Sequence, residues 1–397
     1  MPQRKTRLNP VVGAARREVA GVLDQVLGAG TVAPTGSSAH QGRGAEPGQV
    51  PLVLAAVSGG PDSLALAVLL AHFHRRQDVR VGAVVVDHQL QDGSAQVAHR
   101  TAQTLQELGL NPVLVETVAV EGGQEGPEMA ARTARYGAFA RALATTGAVA
   151  VALGHTLDDQ AETVLLGLAR GSGTRSLAGM PVDRTENHLA GPVRVIRPLL
   201  ALRRAEIEQI CADAGLTPWH DPTNTDQSLM RARVRHSVLP YLEEHLGGGV
   251  AVSLARTATI AGADADYLAS AAEQALPHVL VGADDIAPAG TPMEGLLGVD
   301  QGRGLVLLNR TALAGLHPAV RTRVLALALE KAGGIAPGFE RLAALDTFVS
   351  EHSIAGPLQL PGHVSAYRRR PGVTIRRAGQ SYNLKKTGLI VLLNTTP

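Results

Sequence analysis

Between residues 53 and 169 the chain alternates short Val-rich runs with helix-period segments, and no other feature limits its fold so strongly. The runs Val53–Val57, Val81–Val86, Pro112–Val115 and Ala148–Leu153 have strand length. Between them lie Ser63–Arg75, Ser94–Leu108, Met129–Ala144 and Asp159–Ala169, whose apolar residues recur at helical spacing. Strand and helix in alternation predict an α/β fold, a Rossmann-like parallel sheet with helices on both faces. The strands are apolar throughout, as burial on both sides requires.

Around this core the pattern changes. An amphipathic run, Val11–Leu27, predicts one N-terminal helix, and the Gly-, Ser- and Pro-rich residues 29–50 predict a flexible linker, so residues 1–50 form a segment of their own. Asp183–Pro192 reads as a polar loop, Val193–Ile196 as a further strand and Arg203–Ala214 as a helix. Gly247-Gly248-Gly249 marks the expected end of the α/β domain, 51–246. The remainder, 250–397, is expected to be mostly helical, with a terminal β-hairpin from Leu358 to Arg377 turning at Pro371-Gly372.

Composition narrows the function classes. Ten aromatic residues in 397 argue against rows of stacked bases. Net charge is only +2, but His352–Pro397 holds seven Lys or Arg and no acid, which leaves 30 basic and 35 acidic residues before it. That basic end is either a nucleic-acid contact or a solvated tail. The single cysteine, Cys211, excludes an internal disulfide or a cysteine-built zinc or iron–sulfur site, and fits a reducing cytoplasm. Arg4, Lys5 and Arg7 are followed by no uninterrupted apolar segment, and no stretch is long and apolar enough for a membrane span, so a soluble, cytoplasmic chain with no membrane partner is expected.

The first strand runs into Ser58-Gly59-Gly60-Pro61-Asp62-Ser63 and then a helix. In an open parallel sheet ligands bind at the carboxyl ends of the strands. Two glycines admit an anion close to the backbone, helix N–H groups hold phosphate, and Ser58 and Ser63 add hydroxyls. Asp62 would repel a bare phosphate, so it makes sense as a ligand of Mg²⁺ bridging to one. An ordinary turn capped by Asp62 is the competing reading. The loop is neither the Walker pattern, which needs a lysine, nor the dinucleotide fingerprint.

Asp87 closes the second strand, near a nucleotide or as the cap of its own turn. Arg132 and Arg135 share one helix face. His155, Asp159 and Glu162 are spaced four and three, so they converge at a helix start, where two carboxylates favour Mg²⁺ or the ammonium of an amine substrate. Asp158 is read as a helix cap.

The Ser-Gly-Gly-x-Asp-Ser string resembles the PP-loop of the N-type ATP pyrophosphatases. With Gly154-His155-Thr156-Leu157-Asp158-Asp159-Gln160-Ala161-Glu162-Thr163, Arg170-Gly171-Ser172-Gly173, Arg197-Pro198-Leu199-Leu200, Trp219–Asp226 and Arg231-Ala232-Arg233-Val234-Arg235, the chain from Val53 to Leu246 resembles the tRNA(Ile)-lysidine synthetase family. The resemblance implies ATP-dependent ligation of lysine to C2 of the wobble cytidine in isoleucine tRNA bearing a CAU anticodon. An adenylated cytidine is the intermediate, and pyrophosphate and AMP are released. It implies that residues 51–246 are the PP-loop catalytic domain and 250–397 a tRNA-binding domain. It implies ATP phosphates on Ser58, Gly59, Gly60, Pro61, Asp62 and Ser63, with Asp87 nearby and Mg²⁺ on Asp62. It places Asp62, His155, Asp159 and Glu162 at the reacting centre. Arg132, Arg135, Arg197, Arg203, Arg231, Arg233 and Arg235 are the candidate contacts to ATP or tRNA.

Expected partners are the tRNA, L-lysine, ATP and a second copy of the chain. The family's usual Arg-Asn-Arg is here Arg231-Ala232-Arg233, and its preceding phenylalanine is Leu229, departures that touch substrate positioning rather than reaction class. The alternatives are cytidine thiolation, which would want paired cysteines, and a non-enzymatic adenine-nucleotide sensor, which leaves the His155, Asp159, Glu162 and arginine set without work.

Overall fold

The computed structural model describes residues 9–32, 50–89, 93–120, 126–171, 173–219, 229–282, 304–351, 357–369, 374–377, 380–383 and 388–394. Most of the expected linker, the stretch 220–226 and the Pro371-Gly372 turn lie outside these residues. The chain forms two compact units, residues 1–262 and 263–397.

The first unit carries α1 (Pro10–Leu27), β1 (Leu52–Ala56), α2 (Pro61–Arg75), β2 (Arg80–Asp87), α3 (Ser94–Glu107), β3 (Val113–Thr117), α4 (Pro127–Thr146), β4 (Ala150–Ala152) and α5 (Leu157–Ala169). It continues through α6 (Thr174–Leu177), β5 (Asp183–Glu186), β6 (Val193–Ile196) and α7 (Arg204–Asp213). The sheet order is β3-β2-β1-β4-β6-β5, parallel except for β5, which runs antiparallel to β6. The Rossmann-like expectation therefore holds, with one difference: Asp183–Glu186, expected as loop, is an edge strand. Its residues are polar and largely exposed, so no apolar pattern announces it.

Alternation along β1 explains the two-layered core. Val53 and Ala55 face α1, α2, α3 and α7 in one cluster. Leu54 faces Tyr136 and Phe139 of α4 in another. α1 is part of that first cluster, with Val12, Ala15, Val19 and Leu23 buried at helical spacing. The expectation that residues 1–50 stand apart is thus corrected for α1, because its apolar stripe is covered by α2 and α7. Successive crossovers go from β1 to β2 and β3 on one side and to β4 and β6 on the other. The reversal between β1 and β4 opens a crevice at their carboxyl ends.

After α7 come α8 (Met230–Arg233), a π turn (Val234–Val238), α9 (Leu239–Leu246) and α10 (Val250–Val279). The expected boundary at Gly247–Gly249 is a helix break only. The Glu243 carboxylate accepts the N–H groups of Gly249 and Ala251, and Ala251 is buried with Leu157, Ala161, Val234 and Leu239. The units instead divide at Gly262/Ala263, inside α10.

The second unit adds β7 (Leu305–Asn309), α11 (Arg310–Gly315), α12 (Pro318–Lys331), α13 (Phe339–Ser350), β8 (Leu358–Leu360), β9 (Val364–Arg369), β10 (Thr374–Arg377), β11 (Gln380–Asn383) and β12 (Leu389–Asn394). The expected hairpin from Leu358 to Arg377 is not formed as one unit. β9 pairs with β8 and β12 in a four-stranded sheet of order β7-β12-β9-β8, and β10 pairs with β11. Five consecutive buried residues, Leu389–Leu393, give β12 an inner place in that sheet that alternating residues 364–369 alone do not reveal.

Candidate active site

β1 ends two residues before the Ser58–Ser63 loop, and α2 starts within that loop, with Gly60 as its N-cap. Ser63 Oγ ties the turn together, accepting the Ser58 N–H at 3.1 Å and donating to the Gly60 carbonyl at 3.0 Å. Gly59 has φ +87°, and a Cβ there would stand 2.7 Å from Thr101 Oγ1. The loop can hold this shape only with glycine, and it leaves the first-turn N–H groups of α2, which lack intrahelical partners, at the crevice.

The turn after β4 crosses the first turn of α2. A Cβ on Gly154 would lie 2.8 Å from the Asp62 carbonyl oxygen, so this approach also requires glycine. It brings Asp159 beside Asp62, and His155 interacts with Asp159 in turn. The Asp62 carboxyl is pushed up to about 6 by burial and by the neighbouring Asp159, against Arg204 and Arg235. Its Oδ1 is buried without a hydrogen-bond partner. A buried carboxylate oxygen left unpaired in the first turn of α2 fits a single-carboxylate Mg²⁺ site, since that ion keeps waters and phosphate oxygens as its other ligands. Among the described residues no cluster of three or more His, Cys, Asp or Glu forms a self-contained metal cage.

Asp159 does two jobs. Its Oδ2 accepts the Thr156 N–H at 2.8 Å and the Thr156 hydroxyl at 2.9 Å, closing a capping box on α5, while its Oδ1 accepts from Arg235 at 2.8 Å. Burial alone would raise this carboxyl, but the Thr156 bond and the charges of Arg231, His155 and Arg235 hold it below the usual range. Glu162 is fully buried and accepts from Arg235 Nε at 2.7 Å and Arg231 Nε at 3.0 Å. Arg204 stands 3.8 Å from Glu162 and 3.9 Å from Asp159. His155 is pushed down to about 4, by burial first and by Arg197, Arg231 and Arg135 against the pull of Asp159. Its imidazole is neutral at pH 7, and its Nδ1 is buried without a partner.

Several of the expected site residues have partners within the chain. Arg231 and Arg235 face carboxylates of their own chain, in a segment where the π turn follows from Pro240, which has no N–H to continue α-helical bonding. Asp158 does not cap α5. It accepts from Arg203 Nε at 3.2 Å and from the Arg204 N–H at 2.8 Å, joining the starts of α5 and α7. Arg203 is therefore engaged with Asp158. Arg197 is buried and donates to the Pro181 carbonyl at 2.7 Å. Arg132 lies 4.6 Å over the Tyr136 ring, 3.5 Å from Glu186. Asp87 is buried and accepts the Gln89 N–H at 3.0 Å, the turn-capping alternative. Arg135 acts electrostatically on both His88 and His155, and Arg233 is exposed.

Arg204 and Thr156 were not among the expected site residues. The Thr156-x-x-Asp159 spacing carries a legible cap signal. Nothing local distinguishes Arg204 from Arg203. The Cys211 thiol, 3.4 Å from the Pro61 carbonyl, is pushed up to about 11 by burial and by Asp62, so it is protonated at pH 7 and no nucleophile.

Residues 43–242 match the PP-loop domain family, and residues 308–378 match the TilS substrate binding domain. A tRNA(Ile)-lysidine synthase of Leifsonia xyli subsp. xyli is 45% identical over 311 residues, 78% of this chain and 86% of that protein. The synthase of Bifidobacterium longum subsp. infantis is 38% identical over 393 residues, 95% of this chain and 98% of the relative. The chain belongs to the tRNA(Ile)-lysidine synthase family. A third member, from Streptomyces coelicolor, is 44% identical over 331 residues, 82% of this chain and 86% of its own length. Membership in the synthase family accounts for both units, the PP-loop match falling on the first and the substrate-binding match on the second. The thiolation and sensor alternatives are not favoured. Among the described residues no helix is long and apolar enough to cross a membrane.

Proposed function

We propose that the chain is a carbon–nitrogen ligase of the cytoplasm that joins L-lysine to C2 of the wobble cytidine in isoleucine tRNA with a CAU anticodon, using ATP. The observation that carries this reading is the convergence of the PP-loop with His155, Asp159 and Glu162 at one sheet crevice, in a chain whose relatives bear the synthase name over nearly their whole length.

The ATP phosphates lie on the Ser58–Ser63 turn, against the N-terminus of α2. Asp62 would hold Mg²⁺, which supplies charge neutralisation on the phosphates when bound. Oxygen O2 of cytosine attacks the α-phosphorus, the bond to pyrophosphate breaks, and AMP becomes the leaving group on C2. A lysine amine then attacks C2, losing a proton, and the C2–O2 bond breaks to release AMP. Neutral His155, with its unpartnered Nδ1, is available to hydrogen-bond the reacting base. The ammonium of lysine competes with Arg231 and Arg235 for Asp159 and Glu162, so substrate entry re-sorts existing ion pairs rather than charging an empty pocket.

The two half-reactions separate in the test. Purified protein with ATP and the tRNA alone should release pyrophosphate, and AMP should follow only when lysine is added. AMP release independent of lysine, or dependent on a sulfur donor, would contradict the assignment.

A further inference from the structure

A groove of about 590 Å³ opens beside the carboxylate–arginine cluster and runs along the outer side of α5. Thr163, Leu166, Gly167 and Arg170 supply one wall. They follow Asp159 at intervals of four, seven, eight and eleven residues, so this wall is the continuation of one face of the helix that carries the reacting carboxylates. Arg175 and Ser176 of α6 and the turn at Gly179 form a second wall, and residues 229–232 with Arg235 form the third. Gln160 fixes that second wall, donating to the Met180 carbonyl at 3.0 Å and accepting the Met180 N–H at 2.7 Å.

The lining holds four arginines, at 170, 175, 231 and 235, and no carboxylate. Glu162, the nearest acid along α5, is fully buried and already bonded by Arg231 and Arg235, two of the lining arginines. The groove thus presents positive charge against the apolar side chains of Leu166, Leu229 and Met230, with no aromatic ring among its residues. A lining whose charged side chains are all arginines, two of them balanced by Asp159 and Glu162, offers no carboxylate of its own to the ammonium of lysine, and the ATP phosphates have their own cradle at α2. A polyanion that carries sugar surfaces between its charges, and that must extend past the reacting centre, matches the lining.

We propose that this groove binds the single-stranded RNA backbone flanking the target cytidine, with Arg170 and Arg175 on its phosphates. The inference rests on the lysidine synthase reading and assigns it a path for the anticodon loop. Arg170 and Arg175 are exposed, whereas Arg231 and Arg235 bond the buried Glu162, so replacing the first two tests the groove and leaves the Glu162 pairs in place.

The experiment compares wild type with the Arg170→Gln/Arg175→Gln double variant, measuring tRNA binding against salt and steady-state kinetics for all three substrates. Loss of two single-strand phosphate contacts should lower the log–log salt slope by about 1.4 and weaken tRNA binding roughly tenfold at about 0.15 M salt, with the KM for lysine and for ATP unchanged. An unchanged tRNA affinity and slope would make the groove solvated surface, and a raised lysine KM with unchanged tRNA binding would make it a lysine pocket; either overturns the proposal. Wild-type protein gives an independent reading. A photo-crosslink from thiouridine next to the target cytidine should map to residues 163–180 or 229–235, and crosslinks confined elsewhere would reject the path. If wild type itself transfers no lysine, the functional reading fails, whatever the crosslinks show.

Discussion

Glu162 and Arg235 are 73 residues apart in the chain and 2.7 Å apart in the fold. Neither has another route to neutrality as short as this one, and Glu162 has no exposure to water. The pair pins the π-turn segment to α5 and so places the groove, Asp159 and Arg231 in one frame.

Breaking this pair from one side removes the shortest bond to a fully buried carboxylate but leaves Arg231 on Glu162 and Asp159 on Arg235, so the cost falls below the full unpaired-charge penalty, at about 2 kcal/mol. Glu162→Gln and Arg235→Met should each lower stability by that order in urea unfolding, and the double variant should lose less than the sum. Additive losses would mean that the contact holds nothing together.

Asp62 should cost the free protein stability near neutral pH. Its folded value of about 6 lies above the ordinary 3.8, so the folded state favours the protonated form. The site is harmless below pH 4, and its cost grows as pH rises from about 4 through about 6. Asp62→Asn should therefore be more stable than wild type at pH 8, by roughly 3 kcal/mol, and level with it at pH 4. The same variant should lose pyrophosphate release. A stability difference independent of pH would contradict this account.

Gly59→Ala introduces a Cβ where φ is +87° and Thr101 Oγ1 would be 2.7 Å away. The loop must shift, at a cost of about 1–3 kcal/mol. ATP should bind at least about tenfold more weakly, while melting in the absence of ATP changes modestly. Adding Thr101→Ala removes the clash but not the positive φ, so it should restore binding only in part.

Truncation before β12 should unfold the second unit rather than merely trim charge. Leu389–Leu393 are all buried between β7 and β9. Losing several such side chains, at about 2–5 kcal/mol each, exceeds the roughly 5–15 kcal/mol that holds a typical domain. Proteolysis of a chain ending at residue 387 should degrade residues 304–369 while sparing 50–219. A role for the basic end in tRNA binding is better tested by replacing Arg376 and Arg377 within the intact chain.

The sheet and its helices were legible because β1, β2 and α2 are set by local periodicity, and the crevice followed from where β1 ends. The glycines of the loop were legible for the same reason. The partners of the charged residues were not. Arg231 and Arg235 stand four apart and look like phosphate ligands until α5 is packed against them. Asp158 and Asp159 are adjacent on one turn, and only tertiary contact gives one to Arg203 and the other to Thr156 and Arg235. α1 showed its apolar stripe in sequence but not the surface that covers it. Asp183–Glu186 became a strand because β6 offered an edge, not because its own residues favour one.

The most direct test of the account is incorporation of labelled lysine into isoleucine tRNA with a CAU anticodon by the purified chain and ATP. One lysine per tRNA, with one AMP and one pyrophosphate formed for each and the label at C2 of the wobble cytidine, is the predicted result. A folded protein that binds ATP and the tRNA yet transfers no lysine would contradict it.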